Sequence, residues 1–294
     1  MTTAQRESAA TRPLDGTGLA REICAEATTT AAELSSAGIT PQLAVVVATD
    51  DESSSWYVRS IAKTAARAGI SCSVVDLGAE CAPALIRAAL ESLSADESVH
   101  GIILQTPLPA GVRFEEQASA IAPAKDVDGA NPLSLGRLTA GSPAFAPATA
   151  TAVLELLDHH EVALAGRRCV VVGRSNVVGK PAAALLLQRD ATVTICHRHT
   201  EDLARFTTAA DVVVVAVGRP GLIGAEHVRD RAIVIDVGTN PTPEGGLVGD
   251  VDEAAVSGRV AGLSPVPGGV GPVTTALLLR NTVQAAASSA RRTT

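Results

Sequence analysis

The fold of this chain is decided by Cys169–Pro181, CVVVGRSNVVGKP, in which a short apolar run leads into a glycine turn and then a helix. A continuous apolar run bounded by glycine is typical of a strand buried on both faces of a parallel sheet. Backbone N–H groups at the start of the helix favour an anion, so the phosphates of a dinucleotide are the expected ligand. The candidate cofactor-binding residues here are Gly173, Arg174, Ser175, Gly179, Lys180 and Pro181. The spacing is not the usual G-x-G-x-x-G, so a tight turn that binds nothing is the alternative.

Three further apolar runs follow, separated by segments of helical length. They predict strands at Ala191–Cys196, Asp211–Gly218 and Ala232–Gly238. Alternating strands and helices favour a doubly wound parallel sheet, whose ligands lie outside the carboxyl ends of the strands. We therefore predict an α/β fold whose C-terminal domain is a Rossmann-type nucleotide-binding domain.

The residues after the predicted strand Ala191–Cys196 indicate which dinucleotide binds. An NAD site commonly places a carboxylate there for the ribose 2′-hydroxyl, whereas this chain has His197-Arg198-His199-Thr200. A cation suits a 2′-phosphate, so Arg198 together with Arg174 predicts NADP. Thr239, which follows the predicted strand Ala232–Gly238, is a further candidate cofactor-binding residue. The alternative for either arginine is an ordinary solvated side chain.

The composition favours a two-domain cytoplasmic protein. At about 150 residues per domain the chain has room for two domains, and 46% of its 294 residues are apolar. Its apolar runs are too short to span a membrane, and its polar N-terminus lacks the layout of a signal peptide. The net charge of −7 argues against nucleic acid as a partner. Five scattered cysteines suggest neither a disulfide framework nor a metal site.

The first half of the chain predicts a second α/β domain. Strands are expected at Gln42–Thr49, Ser71–Leu77 and His100–Gln105, with a helix at Trp56–Ala68 that stops at Gly69. We expect a domain boundary near residues 140–150 and a cleft between the two domains.

Three features outside the strand cores are candidate sites. Gln105 falls at the carboxyl end of a strand, where an open α/β sheet places its chemistry. Lys125–Gly129, KDVDG, lies in a turn-rich segment. The alternative for Gln105 is an ordinary polar residue at the end of a strand, and the alternative for KDVDG is a charged surface turn. The prolines and glycines of Ser264–Thr275 favour a loop that approaches a ligand over a rigid linker.

Together these motifs resemble the methylenetetrahydrofolate dehydrogenase/cyclohydrolase family. The motifs are KDVDG with Gly136-Arg137-Leu138, Gly173-Arg174-Ser175 with Val178–Pro181, and Pro265–Pro272. The resemblance covers nearly the whole chain, from Leu14-Asp15-Gly16 to the C-terminal helix. It implies a folate-binding catalytic domain at residues 1–145, joined by the C-terminal helix 274–294, and an NADP-binding domain at 146–273. It also implies a homodimer.

The resemblance further implies roles for individual residues. Tyr57 would stack on the aminobenzoate ring of the folate, Gln105 would lie by the reacting one-carbon unit, and Asp128 would hydrogen-bond the pterin. These three are the candidate catalytic residues. The residues that would close the far wall of the folate site are Pro267, Gly268 and Gly269. Asp126 is expected to tolerate replacement.

The implied reaction transfers a hydride from 5,10-methylenetetrahydrofolate to NADP and leaves a methenyl cation. This step needs positioning and exclusion of water more than acid–base help. The second activity of the family, hydrolysis of that cation to 10-formyltetrahydrofolate, uses a lysine four residues after the tyrosine. This chain has Ile61 there, and Lys63 matches a second lysine of the motif, on the helix surface.

We therefore expect an NADP-dependent dehydrogenase whose cyclohydrolase activity is weak or absent. A fully bifunctional enzyme is one alternative, and a folate- or nucleotide-binding paralogue without catalysis is another. A third is an NADP oxidoreductase with a different small substrate, because Ala148, Ala150 and Ala152 depart from the family pattern.

Overall fold

The computed structural model describes residues 10–293, with side chains through residue 291. Residues 1–9 and 294, which the predicted domains include, lie outside the described residues. The described chain divides into two compact units. The first unit comprises residues 18–151 and 273–293, and the second unit comprises residues 10–17 and 152–272.

Strands and helices alternate along most of the chain. The strands are β1 Arg12–Pro13, β2 Gln42–Val47, β3 Ser71–Asp76, β4 Gly101–Leu104, β5 Arg168–Val172, β6 Thr192–Cys196, β7 Val212–Val215, β8 Ile233–Asp236, β9 Asn240–Pro241, β10 Leu247–Val248 and β11 Gly262–Leu263. The α-helices are α1 Thr17–Ser36, α2 Glu52–Arg67, α3 Pro83–Ala95, α4 Phe114–Ala118, α5 Pro132–Thr139, α6 Ala148–His159, α7 Gly179–Gln188, α8 Leu203–Thr207, α9 Glu253–Val256 and α10 Val270–Thr293.

The first unit contains a three-stranded parallel sheet in the order β3-β2-β4. The central strand β2 pairs through Val45 with Val74 on one side and with Ile103 on the other. Five consecutive residues of β2 are buried, so both faces of the strand are enclosed. This enclosure explains the continuous apolar run in its sequence. All three predicted strands are present.

Helix α2 begins at Glu52, four residues before its predicted start at Trp56. The reason is the cap: Asp51 accepts a hydrogen bond from the backbone N–H of Ser54 at 2.7 Å. The predicted stop is confirmed, because Gly69 has a φ of +73°, a conformation that glycine adopts without strain.

The second unit contains a six-stranded sheet in the order β1-β11-β8-β7-β5-β6. Every pair in it is parallel. All four residues of β7 are valines and all are buried. The predicted α/β fold with a Rossmann-type C-terminal domain is confirmed.

The first residues that the structure describes complete the sheet of the second unit. In β1, Arg12 pairs with Gly262, and the next residue but one, Leu14, is fully buried and donates its N–H to Leu263 at 2.8 Å. These residues were predicted to belong to the folate-binding domain, residues 1–145. Arg12 and Gly262 are 250 residues apart, so no local sequence pattern predicts that they pair. The limits of the functional domains stay a prediction.

Residues 10–293 contain neither a helix suited to cross a membrane nor a cluster of metal-binding side chains. None of these helices combines the length and apolar character that crossing a membrane requires. No group of three or more His, Cys, Asp or Glu side chains in this part of the chain could hold a metal ion.

Candidate active site

Tyr57 and Asp128 lie close together in the first unit. Tyr57 is half-buried on α2, and its hydroxyl hydrogen-bonds with Thr275 of α10. Burial and the negative charge of Asp128 raise the pKa of Tyr57 to about 12, and the hydrogen bond to Thr275 opposes them. Tyr57 is therefore a neutral phenol at physiological pH and cannot act as a base there. Thr275 ends the segment Ser264–Thr275 that was predicted to approach a ligand, but its contact with Tyr57 was not predictable, because a threonine inside a helix carries no signal of its partner.

Asp128 is a carboxyl group that changes charge near neutral pH. Burial, followed by the charge of Asp126, raises its pKa to about 7, while the backbone N–H of Ala148 acts in the opposite direction. The turn is tightly packed: a Cβ on the neighbouring Gly129 would lie 2.4 Å from the backbone nitrogen of Pro147. Asp128 can therefore accept hydrogen bonds as a carboxylate or donate one as an acid, depending on the pH.

Asp126 has a structural role. It is fully buried and accepts hydrogen bonds from the N–H groups of Ala130 and Asn131 at 2.8 and 2.9 Å and from the hydroxyl of Ser134 at 2.6 Å. The sequence predicted that replacing Asp126 is mild, but these hydrogen bonds lead us to expect a loss of stability, because the replacement would leave three donors unpaired. Lys125 in the same motif donates to the carbonyls of Leu93 and Asp96.

Gln105 follows β4 directly, at the carboxyl end of the strand as predicted. Its side-chain amide donates to the carbonyl of Thr106 at 2.8 Å, and Ser54 of α2 donates to the same oxygen, also at 2.8 Å. This shared acceptor ties the end of β4 to the first turns of the helix that carries Tyr57.

Ile61 lies four residues after Tyr57 on α2 and has no exposed surface. It belongs to the buried face of the helix together with Ser54, Val58 and Ala65. Lys63, two residues further on, is exposed.

The glycine turn of the second unit is as tight as the sequence predicts. Gly173 has a φ of +132°, and a Cβ there would lie 2.2 Å from the carbonyl oxygen of Ala216. A Cβ on Gly179 would lie 2.3 Å from the carbonyl oxygen of Gly173. Both glycines are required for α7 to begin this close to β5. The turn thus has the backbone cradle that a dinucleotide's phosphates need, even with unusual glycine spacing.

The side chains of this turn serve different purposes. The Ser175 hydroxyl accepts from the N–H groups of Val178 and Gly179 at 3.1 and 3.3 Å, so it caps the start of α7 and engages two amides expected to face the ligand. Lys180 is exposed and donates to the side chain of Asn176 at 2.7 Å. Pro181 is buried in the first turn of α7.

The arginines predicted to bind a 2′-phosphate follow adjacent strands. Arg174 is exposed just after β5, and Arg198 is exposed just after β6. The two loops meet where Gly173 donates its N–H to the carbonyl of Cys196 at 2.9 Å. Arg198 itself donates to the imidazole of His199 at 3.1 Å.

The remaining predicted residues also lie in the second unit. Thr239 is exposed beyond the carboxyl end of β8. Pro267, Gly268 and Gly269 form a tight loop, in which Gly269 donates its N–H to the carbonyl of Pro265 at 2.8 Å. The carbonyl of Gly268 accepts the N–H of Gly16, so the residues after β1 support this loop.

A parallel sheet with this glycine turn, and cations after the neighbouring strand, defines a protein with a Rossmann-type NAD(P)-binding unit. The chain belongs to the tetrahydrofolate dehydrogenase/cyclohydrolase family. The family's catalytic-domain model matches residues 14–128, and its NAD(P)-binding-domain model matches residues 147–290.

Individual relatives agree over almost the full length. The chain is 72% identical over 282 residues to the "Bifunctional protein FolD 1" of Saccharopolyspora erythraea, with 96% of each chain covered. It resembles the crystal structure of the bifunctional dehydrogenase/cyclohydrolase FolD from Campylobacter jejuni, with a TM-score of 0.91, 40% identity, and 95% of this chain and 99% of that one covered. The Trypanosoma brucei FolD structure, a complex with NADP and an inhibitor, gives a TM-score of 0.91 at 38% identity, with 96% and 99% covered. The family's NAD(P)-binding domain and the NADP in the T. brucei structure confirm the predicted cofactor.

Proposed function

We propose that this chain oxidises 5,10-methylenetetrahydrofolate with NADP and has little or no cyclohydrolase activity. The observation that carries the second part is the buried side chain of Ile61 four residues after Tyr57 on α2. Residues four apart on a helix lie about 40° from each other around its axis, whereas residues six apart lie about 120° apart. Lys63 therefore cannot replace a lysine at position 61.

Hydride transfer makes few demands on acid–base groups. When bound, NADP would supply the hydride acceptor: the hydrogen would leave the methylene carbon with the electron pair of its C–H bond, and a lone pair of a folate nitrogen would form the new C=N bond. Asp128 as a carboxylate would accept hydrogen bonds from the pterin, and the neutral ring of Tyr57 would stack on the aminobenzoate. Gln105 would lie beside the one-carbon unit. These residues position the substrate and exclude water.

Hydrolysis of the methenyl cation is more demanding, because water must add and the ring must open. An isoleucine can neither move a proton nor hold a water there, and loss of an acid–base group typically lowers the rate of its step by about 10²–10⁴-fold. An apolar side chain at this position would instead help to keep water from the cation.

The main rival is a fully bifunctional enzyme, and the name of the S. erythraea relative favours it. The test is to measure NADPH formation from methylenetetrahydrofolate and, separately, the decay of methenyltetrahydrofolate with and without enzyme. Turnover in the first assay with only spontaneous decay in the second is the expected result. Comparable rates in both would establish the rival. Folate binding without turnover would indicate a paralogue without catalysis, and neither binding nor turnover would indicate another substrate.

The homodimer that the resemblance implies is part of the same proposal. Light scattering from the purified full chain should give twice the mass of 29.8 kDa, and a monomer would contradict it.

A further inference from the structure

Two buried carboxylates organise the loops at the carboxyl edge of the second unit. Asp250 has no exposed surface, and Asp236, the last residue of β8, is 3% exposed. Neither aspartate is among the site residues predicted from the sequence. They contact each other through the backbone, because Asp236 accepts the N–H of Asp250 at 3.0 Å.

Asp250 gathers the loop that follows β7. One carboxylate oxygen accepts the N–H groups of Val217 and Gly218 at 2.7 and 3.0 Å. The other accepts the N–H of Arg219 at 2.7 Å and the side-chain amide of Asn240 at 2.9 Å. A single side chain thus fixes three consecutive amides after β7 and joins them to the segment that follows β8.

Asp236 gathers the loops around the end of β8. Besides the N–H of Asp250, it accepts the N–H groups of Gly238 at 2.8 Å and Val251 at 2.9 Å. The fit leaves no room for a side chain: a Cβ on Gly238 would lie 2.5 Å from Asp250, and one on Gly249 would overlap Asp236. The two carboxylates and the two glycines form one interlocked cluster.

The strand order places this cluster beside the candidate phosphate site. The glycine turn follows β5, Arg198 follows β6 on one side, and β7 and then β8 lie on the other side. Neighbouring strands are about 4.8 Å apart, so the end of β8 lies about 10 Å from the glycine turn. A dinucleotide with its 2′-phosphate near Arg198 would extend its nicotinamide half over β7 and β8.

The same edge is concave within the second unit. A cavity of about 380 Å³ is lined by Pro220 and Gly221 after β7, by Asp236 and Gly249 from the cluster, and by Ser264 after β11. The loops that Asp250 and Asp236 hold thus lead directly into the walls of this cavity.

The geometry points to Asp250 as a positioning residue for the nicotinamide half of the cofactor, acting through the Val217–Arg219 loop and Asn240 on the β8 side. Asp250 contributes no contact to the adenosine half in this arrangement. The inference rests on the proposed NADP binding and extends it to residues that lie outside the glycine turn.

The test separates the two halves of the cofactor. Calorimetry with the purified full chain would compare NADP with 2′,5′-ADP, which carries only the adenosine half, for wild type, Asp250→Asn and the control Asp230→Asn. Asp230, which lies just before β8, is an exposed carboxylate that forms an ion pair with Arg259. In Asp250→Asn an amide group replaces one carboxylate oxygen and faces N–H donors, so we expect NADP binding to weaken about tenfold or more while 2′,5′-ADP binding stays within about twofold. The control should bind both as wild type does.

Asp250→Asn could fail to fold, so Asn240→Ser provides a milder change that removes one of the four donors. It should weaken NADP binding by a smaller factor with 2′,5′-ADP unchanged. Equal weakening of both ligands, or no change in either, would overturn the inference. If the wild-type chain binds neither ligand, the proposed function fails and this inference fails with it, whereas normal wild-type binding without the split overturns the inference alone.

Discussion

Asp126 and Asp128 lie two residues apart in one turn, yet the first is saturated by three protein donors while the second ionises only near pH 7. The KDVDG motif thus contains one carboxylate that stabilises the fold and a second that we propose binds a ligand. The two residues form a natural matched pair for mutation.

Asp126→Ala should destabilise the protein, and Asp128→Ala should disable it. The first leaves two backbone N–H groups and a hydroxyl unpaired, at about 1–3 kcal/mol each, so the melting temperature should fall by many degrees. The second should leave the melting temperature at or above that of wild type but lower kcat/KM for methylenetetrahydrofolate about a hundredfold. Thermal unfolding and steady-state kinetics measure the two effects, and identical behaviour of the variants would show that Asp128 is only a turn residue.

Asp128→Asn should gain stability relative to wild type as the pH rises. The pKa of Asp128 is about 7 in the folded chain and about 3.9 in an unfolded one, so folding takes up a proton between these values. Wild-type stability from this group is present at low pH and is lost as the pH rises to about 7, whereas asparagine does not titrate. Melting curves should show a difference of a few degrees at pH 8.5 that vanishes near pH 4. A constant difference across this range would rule out the raised pKa.

Folate affinity should respond to pH in the opposite sense. Only the carboxylate form of Asp128 can accept two hydrogen bonds from the pterin, so the KM for methylenetetrahydrofolate should fall as the pH rises through about 7 and then level off. The KM for NADP should not follow this profile. A folate KM independent of pH between 6 and 8 would show that the ionised form is not required.

Arg198→Ala should weaken NADP and spare NAD. Loss of a charge-assisted hydrogen bond of about 1.5–3 kcal/mol should raise the KM for NADP about tenfold or more. The KM for NAD should stay unchanged, because NAD has no 2′-phosphate. Arg205→Ala, which removes an exposed arginine from nearby α8, is the control. If the KM for NADP and the KM for NAD rise equally in Arg198→Ala, the 2′-phosphate is recognised by other residues.

Ile61→Lys should create cyclohydrolase activity at a cost in stability. Position 61 is fully buried, so the new ammonium loses its hydration and its pKa falls toward the range useful for proton transfer. Ile61→Met, similar in length but without an amine, controls for the change in packing. The measurement is the decay of methenyltetrahydrofolate beside the melting temperature. An Ile61→Lys enzyme that folds, oxidises methylenetetrahydrofolate and still hydrolyses nothing would show that the residue at 61 does not decide the second activity.

The strands were predictable because their signal is local. Runs such as Val212–Val215 are apolar without interruption, because burial on both faces of a parallel sheet favours apolar side chains. The start of α2 was predicted less well, because several polar residues around Asp51 could each have served as its cap.

The polar clusters were not predictable, because each depends on donors from distant loops. Asp250 binds the N–H of Val217, 33 residues away, and nothing in the segment around Asp250 reveals which amides it will meet. The same limit hid the hydrogen bonds of Asp126, whose replacement was expected from the sequence to be mild. Which member of an acidic pair faces backbone amides is set by the path of the following turn.

The pairing of Arg12 with Gly262 has a consequence for how the chain folds. Among the described residues, β1 is the edge strand of the sheet in the second unit and lies 250 residues before its partner β11 in the chain. Until β1 and β11 pair, β11 has no neighbour on that side, and Leu14 has no core to enter. Closing so long a loop is slow compared with forming local contacts. A fragment that begins at residue 152 would carry this open edge permanently, and unpaired edges promote aggregation.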